Sequence, residues 1–353
     1  MNSGSKSPKS LFPLRMMSQK KRSSKHKTEE PQPVQEEAKV LNRAIRISEF
    51  KNEYKKLCCN DFVILKKEYK DLINESMTMK ESEYNIWTSI ESMSNINLHD
   101  RIHIVQVDNL RVTMSSSLFS NAKLDAVFIP DQVKHQVIQY IVSQDPSEDS
   151  IFDFFQMIWE LNISYLITLT KISKRKGFIY EYWDSKSENK TYSKDKVSYK
   201  IKKTKETNSG NLTERLFILE NNNLECREIT QLHLMTSTCQ NDSVLNYYEK
   251  LFIKLHEIKS LGLCYPLLFH SSNSNLDQCA MLICIDKIIS TLAFGSDMVN
   301  IYRMMLELNQ YRNLMLQQEC HYLYIYEYID WFLRKSFKIM KSKKRTKTRS
   351  MIE

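Results

Sequence analysis

The stretch "CYPLLFHSSNSNLDQCAMLICID", Cys264 to Asp286, decides how the rest of the chain is read. An apolar run of strand length, Tyr265 to Phe269, ends at His270, and a second apolar run of helical character starts at Cys279. The residues between them, Ser271 to Gln278, form a short loop. Strand, tight polar loop and buried helix make the arrangement in which backbone N–H groups at a helix start gather around an anion. This loop contains no glycine, arginine, lysine or cysteine. It has the frame of a phosphate cradle without the residues that hold or attack phosphate.

Upstream, "VLNRAIRISEFKNEYKKLCCNDFVILKKEYKDLI" spaces its apolar residues helically and predicts two helices before about Asn74. "RIHIVQV" (101–107), "DAVFIP" (125–130) and "HQVIQYIVSQDP" read as strands. "SIFDFFQMIWELN" (150–162) is an amphipathic helix, with N-cap candidates in "PSEDS". "ISYLITLTKI" (163–172) is a buried strand, and "NKTYSKDKVSYKIKK" and "ERLFILENNNLECREITQLHLM" are antiparallel strands joined by polar turns. "NYYEKLFIKLHEIKSLG" (246–262) is a helix with Gly262 as its stop signal. Further helices are predicted near 298–307 and from about Glu319 onward. The fold class is α+β, three layers with a mixed central sheet flanked by helices.

Composition agrees with a packed domain: 42% of the 353 residues are hydrophobic, and 18 Tyr, 15 Phe and 4 Trp supply a sizeable core. No run approaches the ~18 apolar residues of a membrane span. The N-terminus lacks the apolar core and cleavage site of a secretory signal. The eight cysteines show neither C-x-x-C pairs nor a disulfide framework, so reduced thiols in the cytoplasm or nucleus are expected. Charge is segregated. Residues 1–28 carry eight Lys/Arg and 334–349 carry nine, neither with an acid. Set against a net charge of +9, those seventeen cations leave the remainder at −8. Affinity for nucleic acid or an anionic membrane is therefore expected in the tails and not in a basic groove of the fold. Three regions follow: a disordered basic tail at 1–38, a folded domain at 40–335 and a basic tail at 336–353.

The order of elements and several quoted residues resemble the catalytic domain of tyrosine-specific protein phosphatases of the non-receptor type. "SQDPSEDSIFDFFQMIWE", Ser143 to Glu160, is similar to the family's "TQGP" turn and "DFWxMIWE" helix. "YLITLTKIS" matches its following strand, and "EYWD" around Tyr182 and Trp183 matches "YWP". "REITQLHLMTSTCQNDS", Arg227 to Ser243, aligns with "RxIxxxHYxxWPDxGVP". "HSSNSNLD", His270 to Asp277, aligns with "HCSAGxGR". "NQYRNLMLQQECHYLYIY", Asn309 to Tyr326, aligns with "RxxRxxMVQTxxQYxFxY", and "DNLRV", Asp108 to Val112, with D-x-x-R-V.

The resemblance implies a phosphatase-like fold and a chemistry of four parts: a cysteine nucleophile, a phosphate-binding arginine over backbone N–H groups, an aspartic general acid, and a water-positioning glutamine. Only the glutamine, Gln317, stands at its matching position. The nucleophile position is Ser271, whose hydroxyl needs an adjacent base. In the family the neighbouring histidine, here His270, points away and organises the loop. The arginine position is Asp277, a carboxylate where a guanidinium fork should meet phosphate. At ~4 Å and an effective dielectric of ~20, such a charge pair is worth about 4 kcal/mol, and the substitution reverses its sign. The general-acid loop reads Ser237, Thr238, Cys239, so Cys239 occupies the acid position. The loop glycines are replaced by Ser274 and Leu276, and the substrate-stacking tyrosine by Ile102. The degenerate loop is thus His270, Ser271, Ser272, Asn273, Ser274, Asn275, Leu276 and Asp277.

Other residues have structural roles in this reading of the sequence. Cys279 is a buried core thiol, Cys239 a loop thiol, and His233 a structural hydrogen-bonding residue. Arg227 and Arg312 are internal ion-pairing residues, while Trp159 and Trp183 belong to the core. No metal-ligand spacing, Walker loop or dinucleotide fingerprint occurs, so no cofactor is expected. The expectation is a catalytically inactive phosphatase-like protein that binds or scaffolds a protein partner: a kinase, an active phosphatase or a signalling protein. Phosphotyrosine binding is not expected. The first alternative is altered phosphatase chemistry through Ser271 or a nearby cysteine. The second is a polyanion-binding protein working through "KKRSSKHK" and "KSKKRTKTR".

Overall fold

Leu267, Leu268 and Phe269 are all fully buried, which requires cover on both faces of their strand and hydrogen-bonding neighbours on both edges. The computed structural model supplies both; it describes residues 43–78, 126–133, 136–169, 181–183, 189–234, 244–261, 266–272, 276–311 and 315–349. The run lies in β9 (Leu267–Ser271), between β3 (Gln136–Gln144) and β4 (Tyr165–Thr168), and pairs with both in parallel. Next to β4, again in parallel, comes β8 (Cys226–Leu234). Antiparallel strands extend this centre: β2 (Ala126–Val133) beyond β3, and β7 (Leu212–Asn221), β6 (Val197–Ser209) and β5 (Lys190–Lys194) beyond β8. The result is a mixed eight-stranded sheet in the order β2-β3-β9-β4-β8-β7-β6-β5. It is the α+β architecture with a mixed central sheet that the sequence predicts.

Helices cover the two faces unequally. Eight of the ten residues of α3 (Ile151–Glu160) are buried. This helix forms one core with Leu166, Leu268, Phe217 and the Tyr182–Trp183 pair. The larger core on the other face holds Leu267, Phe269 and Ile167 with the remaining helices. These are α1 (Phe50–Leu57), α2 (Cys59–Thr78), α4 (Val244–Tyr247), α5 (Glu249–Ser260), α6 (Leu276–Ala293), α7 (Ile301–Tyr311) and α8 (Glu319–Arg349). A two-residue ribbon joins β1 (Ile45–Arg46) to β10 (Met298–Val299).

Polar anchors hold α2 and Arg43 against the C-terminal helices. Glu68 accepts hydrogen bonds from Tyr322 and Tyr326, both at 2.5 Å. Tyr302 donates to Glu75, and the Arg43 guanidinium lies 3.5 Å from the centre of the Tyr302 ring. Asn60, Asp61 and Phe62 separate α1 from the regular part of α2, with φ of 54°, 55° and 61°. Left-handed geometry costs roughly 1–2 kcal/mol per non-glycine residue. The Lys66–Asp61 bond of 2.8 Å helps to hold the turn.

Several boundaries differ from the sequence reading. The helix after β9 starts at Leu276, not at Cys279, because Asp277 and Gln278 take up its polar first turn. Strand β4 spans four residues instead of ten. Ser150 stands at the N-cap of α3, but its hydroxyl accepts the N–H of Ser147 at 2.9 Å and caps no helical N–H. The last helix, expected from about Glu319 onward, runs as α8 to Arg349. The strand expected at 101–107, the Asp108–Val112 match, Ile102, Gly262 and the tail at 1–38 lie outside the described residues. Among those described, no helix is long and apolar enough to cross a membrane.

Candidate functional site

The candidate site lies at the carboxyl ends of β3, β9 and β4, where open α/β sheets place their ligands. Parallel register sets His270 beside Ser143 and Thr168, and Ser271 beside Gln144. His270 is fully buried and points to the α3 side, edge-on to Phe154 with ring centres 5.4 Å apart. Its Nδ1 lies 2.7 Å from Asp145 Oδ1, and its Nε2 2.7 Å from Thr168 Oγ1. Thr168 Oγ1 also accepts from Gln231 Nε2 at 2.9 Å. The Asp145 carboxylate, an acceptor only, takes the hydrogen on Nδ1. The Asp145 N–H also donates to the Ser271 carbonyl at 2.8 Å. The histidine therefore ties the turn after β3 to β4.

The network continues along the sheet. Gln231 Nε2 reaches the Tyr182 hydroxyl at 2.7 Å, and Gln231 Oε1 accepts from Arg215 Nη1 at 3.0 Å. The same Arg215 nitrogen donates to His233 Nδ1 at 3.0 Å, which gives His233 the structural role expected of it. Arg215 also binds Glu206 at 3.0 Å and lies 4.8 Å from the Trp183 ring centre. Burial pushes the Glu206 carboxyl up, but the Lys203 hydrogen bond and the Arg215 charge together hold it below its usual range. Arg227 is also used internally. It stacks 3.9 Å from the Trp159 ring centre and donates to the Trp159 carbonyl at 2.5 Å.

Ser271 is fully buried at the end of β9. Both ring nitrogens of the adjacent His270 are committed to Asp145 and Thr168, so this histidine is not placed to take a proton from the serine. Asp277, in the first turn of α6, is 7% exposed. Its Oδ1 accepts the backbone N–H of Gln317 at 3.2 Å, and its Oδ2 lies 3.8 Å from His321 Nδ1. Burial, with the nearby Asp277 charge second, pushes the Tyr69 phenol up to about 12. The carboxylate thus faces the junction of α2, α6 and α8. The Gln317 side chain is exposed. Cys279 is buried in α6, as expected, and burial raises the neighbouring Cys284 thiol above its ordinary range. Ser272 and Leu276 border the loop; Asn273, Ser274 and Asn275, with Cys239 and Arg312, lie outside the described residues.

Sequence reasoning missed Asp145 and Thr168, the two anchors of His270, which are 125 and 102 residues away from it. It also missed a buried charge cluster on the opposite face. Lys259 Nζ meets Asp286 Oδ2 at 2.6 Å, and the Tyr140 hydroxyl donates to the same oxygen at 2.9 Å. A carboxylate in the middle of "AMLICIDKII" was the available signal, since such a group needs a buried partner.

A family model described as protein-tyrosine phosphatase matches residues 95–331. Among individual relatives, the receptor-type tyrosine-protein phosphatase eta of Mus musculus is 23% identical over 292 residues, 80% of this chain and 22% of that protein. Tyrosine-protein phosphatase 69D of Drosophila melanogaster is 26% identical over 200 residues, 53% of this chain and 13% of that protein. Tyrosine-protein phosphatase non-receptor type 13 of Mus musculus is 23% identical over 242 residues, 65% of this chain and 9% of that protein. The chain therefore spans less than a quarter of the length of each of these relatives.

Proposed function

This chain belongs to the protein-tyrosine phosphatase family, and we propose that it is a catalytically inactive member that acts by binding a protein partner in phosphotyrosine-type signalling. The observation that carries the reading is Asp277. At the position that the motif resemblance aligns with the family's phosphate-gripping arginine this chain has a carboxylate, and it is bonded to the Gln317 backbone. Such a group contributes no attraction to a dianion, and its bond gives the position a different, structural use. Ser271 adds support, since a serine hydroxyl needs a base to attack phosphorus and both nitrogens of the adjacent imidazole are engaged by Asp145 and Thr168. The core residues around the loop hold β9 and α6 together, a requirement independent of chemistry. The partner is a kinase, an active phosphatase or another signalling protein, and the compartment is the cytoplasm or nucleus.

The test is titration of the purified chain with vanadate, tungstate and a phosphotyrosine peptide, followed by calorimetry and thermal shift. The expected result is no saturable binding at millimolar concentration by a protein that still unfolds cooperatively. Saturable binding, or hydrolysis of an aryl phosphate that Ser271→Ala abolishes, would overturn the proposal.

A further inference from the structure

The lysines of the β5–β6 ribbon stand apart from the charge of the body around them. Residues 190–209 hold seven Lys and two acids, Asp195 and Glu206, for a net +5. With the tails set aside the chain carries −8, so everything outside this ribbon and the tails sums to −13. Four of the lysines have uses within the fold. Lys190 donates to the Glu181 carbonyl at 3.0 Å, Lys194 pairs with Asp153 at 3.3 Å, Lys200 with Glu220 at 3.6 Å and Lys203 with Glu206 at 2.9 Å. Lys196, Lys202 and Lys205 are exposed and make no ion pair or hydrogen bond among the described residues.

Register places two of these three together. Tyr199 and Ile201 point into the core beneath α3, so Lys200 and Lys202 occupy the opposite face of the sheet. By simple alternation Lys205 would return to the α3 side. A bulge between Lys203 and Lys205 prevents this. Lys203 stands opposite Phe217, the next paired residue is Lys205 opposite Leu216, and Lys202 stands opposite Ile218. Thr204, the extra residue, donates its hydroxyl to the Leu216 carbonyl at 3.1 Å. Bulges re-aim side chains in this way. Here the bulge adds a second exposed lysine to the face that already carries Lys202, each directly across from a half-buried aliphatic residue, Ile218 or Leu216.

We infer that this outer face of β6 and β7, with Lys202 and Lys205 beside Ile218 and Leu216, is a docking surface for a short acidic segment of a partner protein, with apolar side chains between its acids. Charge complementarity selects the acid. The two aliphatic residues reward an apolar neighbour, which a nucleic-acid backbone lacks. The acidic surroundings limit the attraction to a segment short enough to stay on the ribbon, and a long polyanion would overrun it. The inference holds whether or not the loop after β9 is inert.

The test uses the full chain and a fluorescein-labelled eight-residue peptide alternating Glu with Leu or Val, followed by fluorescence anisotropy. Saturable binding is expected. It should weaken about tenfold or more in Lys202→Glu/Lys205→Glu and again on raising salt from ~0.05 to ~0.5 M, because exposed charges are screened. Both lysines are exposed and unpaired, so the variant should melt with the parent, and the tails are identical in the two proteins. A second variant, Ile218→Ser/Leu216→Ser, and a peptide alternating Glu with Ser should each weaken binding. Binding untouched by the lysine reversals would overturn the inference. So would a twenty-base-pair DNA duplex that binds tighter than the peptide with the same dependence on Lys202 and Lys205.

Discussion

Returning the two family side chains together, as Ser271→Cys with Asp277→Arg, is expected to leave aryl-phosphate hydrolysis at background and to destabilise the fold. The magnitude follows from the position of Asp277. Its loss removes a charge-assisted bond to the Gln317 N–H, worth about 1.5–3 kcal/mol. A carboxylate in the first turn of α6 contributes about 0.3–1 kcal/mol through the helix dipole, and a guanidinium reverses that sign. A longer side chain at a site only 7% exposed adds about 1–3 kcal/mol of overpacking. The low end of these terms is about 3 kcal/mol, which in a domain of about 300 residues lowers Tm by roughly 5 °C. Circular dichroism melting and release of para-nitrophenol from its phosphate give the two readouts. Appreciable turnover with Tm within ~2 °C of the parent would refute the reasoning. It would mean that the loop kept its catalytic shape and that Asp277 is a bystander.

Other perturbations probe the frame around the loop. His270→Ala removes the bridge between Asp145 and Thr168 and leaves buried polar groups unsatisfied; urea unfolding should register a loss of about 3 kcal/mol. Tyr322→Phe and Tyr326→Phe each delete one bond to the same Glu68 oxygen. Each should cost about 1 kcal/mol, and a double-mutant cycle should give a coupling of about 0.5 kcal/mol or more, since the two share their acceptor. His256 gives a pH dependence. Burial, then the Lys259 charge, lowers its folded pKa, so the unfolded chain takes up the proton first as pH falls through ~6.5. Stability should decline from that pH downward, and His256→Gln should flatten the slope in urea midpoints measured between pH 7.5 and 5.5.

What the sequence made legible was local. The run Tyr265–Phe269 and the helix at "SIFDFFQMIWE" announce themselves through apolar content and period, because burial acts residue by residue. The start of α6 was read three residues late because Asp277 and Gln278 interrupt the apolar run. Polar residues are normal in a first helical turn, where N–H groups lack helical partners. The change of chemical type at Ser271 and Asp277 was equally plain. The direction in which Asp277 turns was not, because its partner is a backbone N–H forty residues away and backbone donors leave no mark in a sequence. The Thr168–His270–Asp145 bridge is hidden for another reason: its three side chains are far apart in the sequence and are brought together by strand register.

The tyrosines that fasten the N-terminal helices to the C-terminal ones have a spectroscopic consequence. Burial, then the neighbouring phenol and Glu68, keeps Tyr322 protonated far into the alkaline range; burial and Glu68 do the same for Tyr326, and burial with Glu249 for Tyr328. In the unfolded chain each phenol ionises near ~10. A folded pKa above the unfolded one means that stability drains away as pH rises through that value. The ultraviolet band of tyrosinate should therefore appear in two stages. Surface phenols contribute a reversible rise, and the buried group follows abruptly when the helices separate. In alkali the protein absorbs its own unfolding transition, without any added dye.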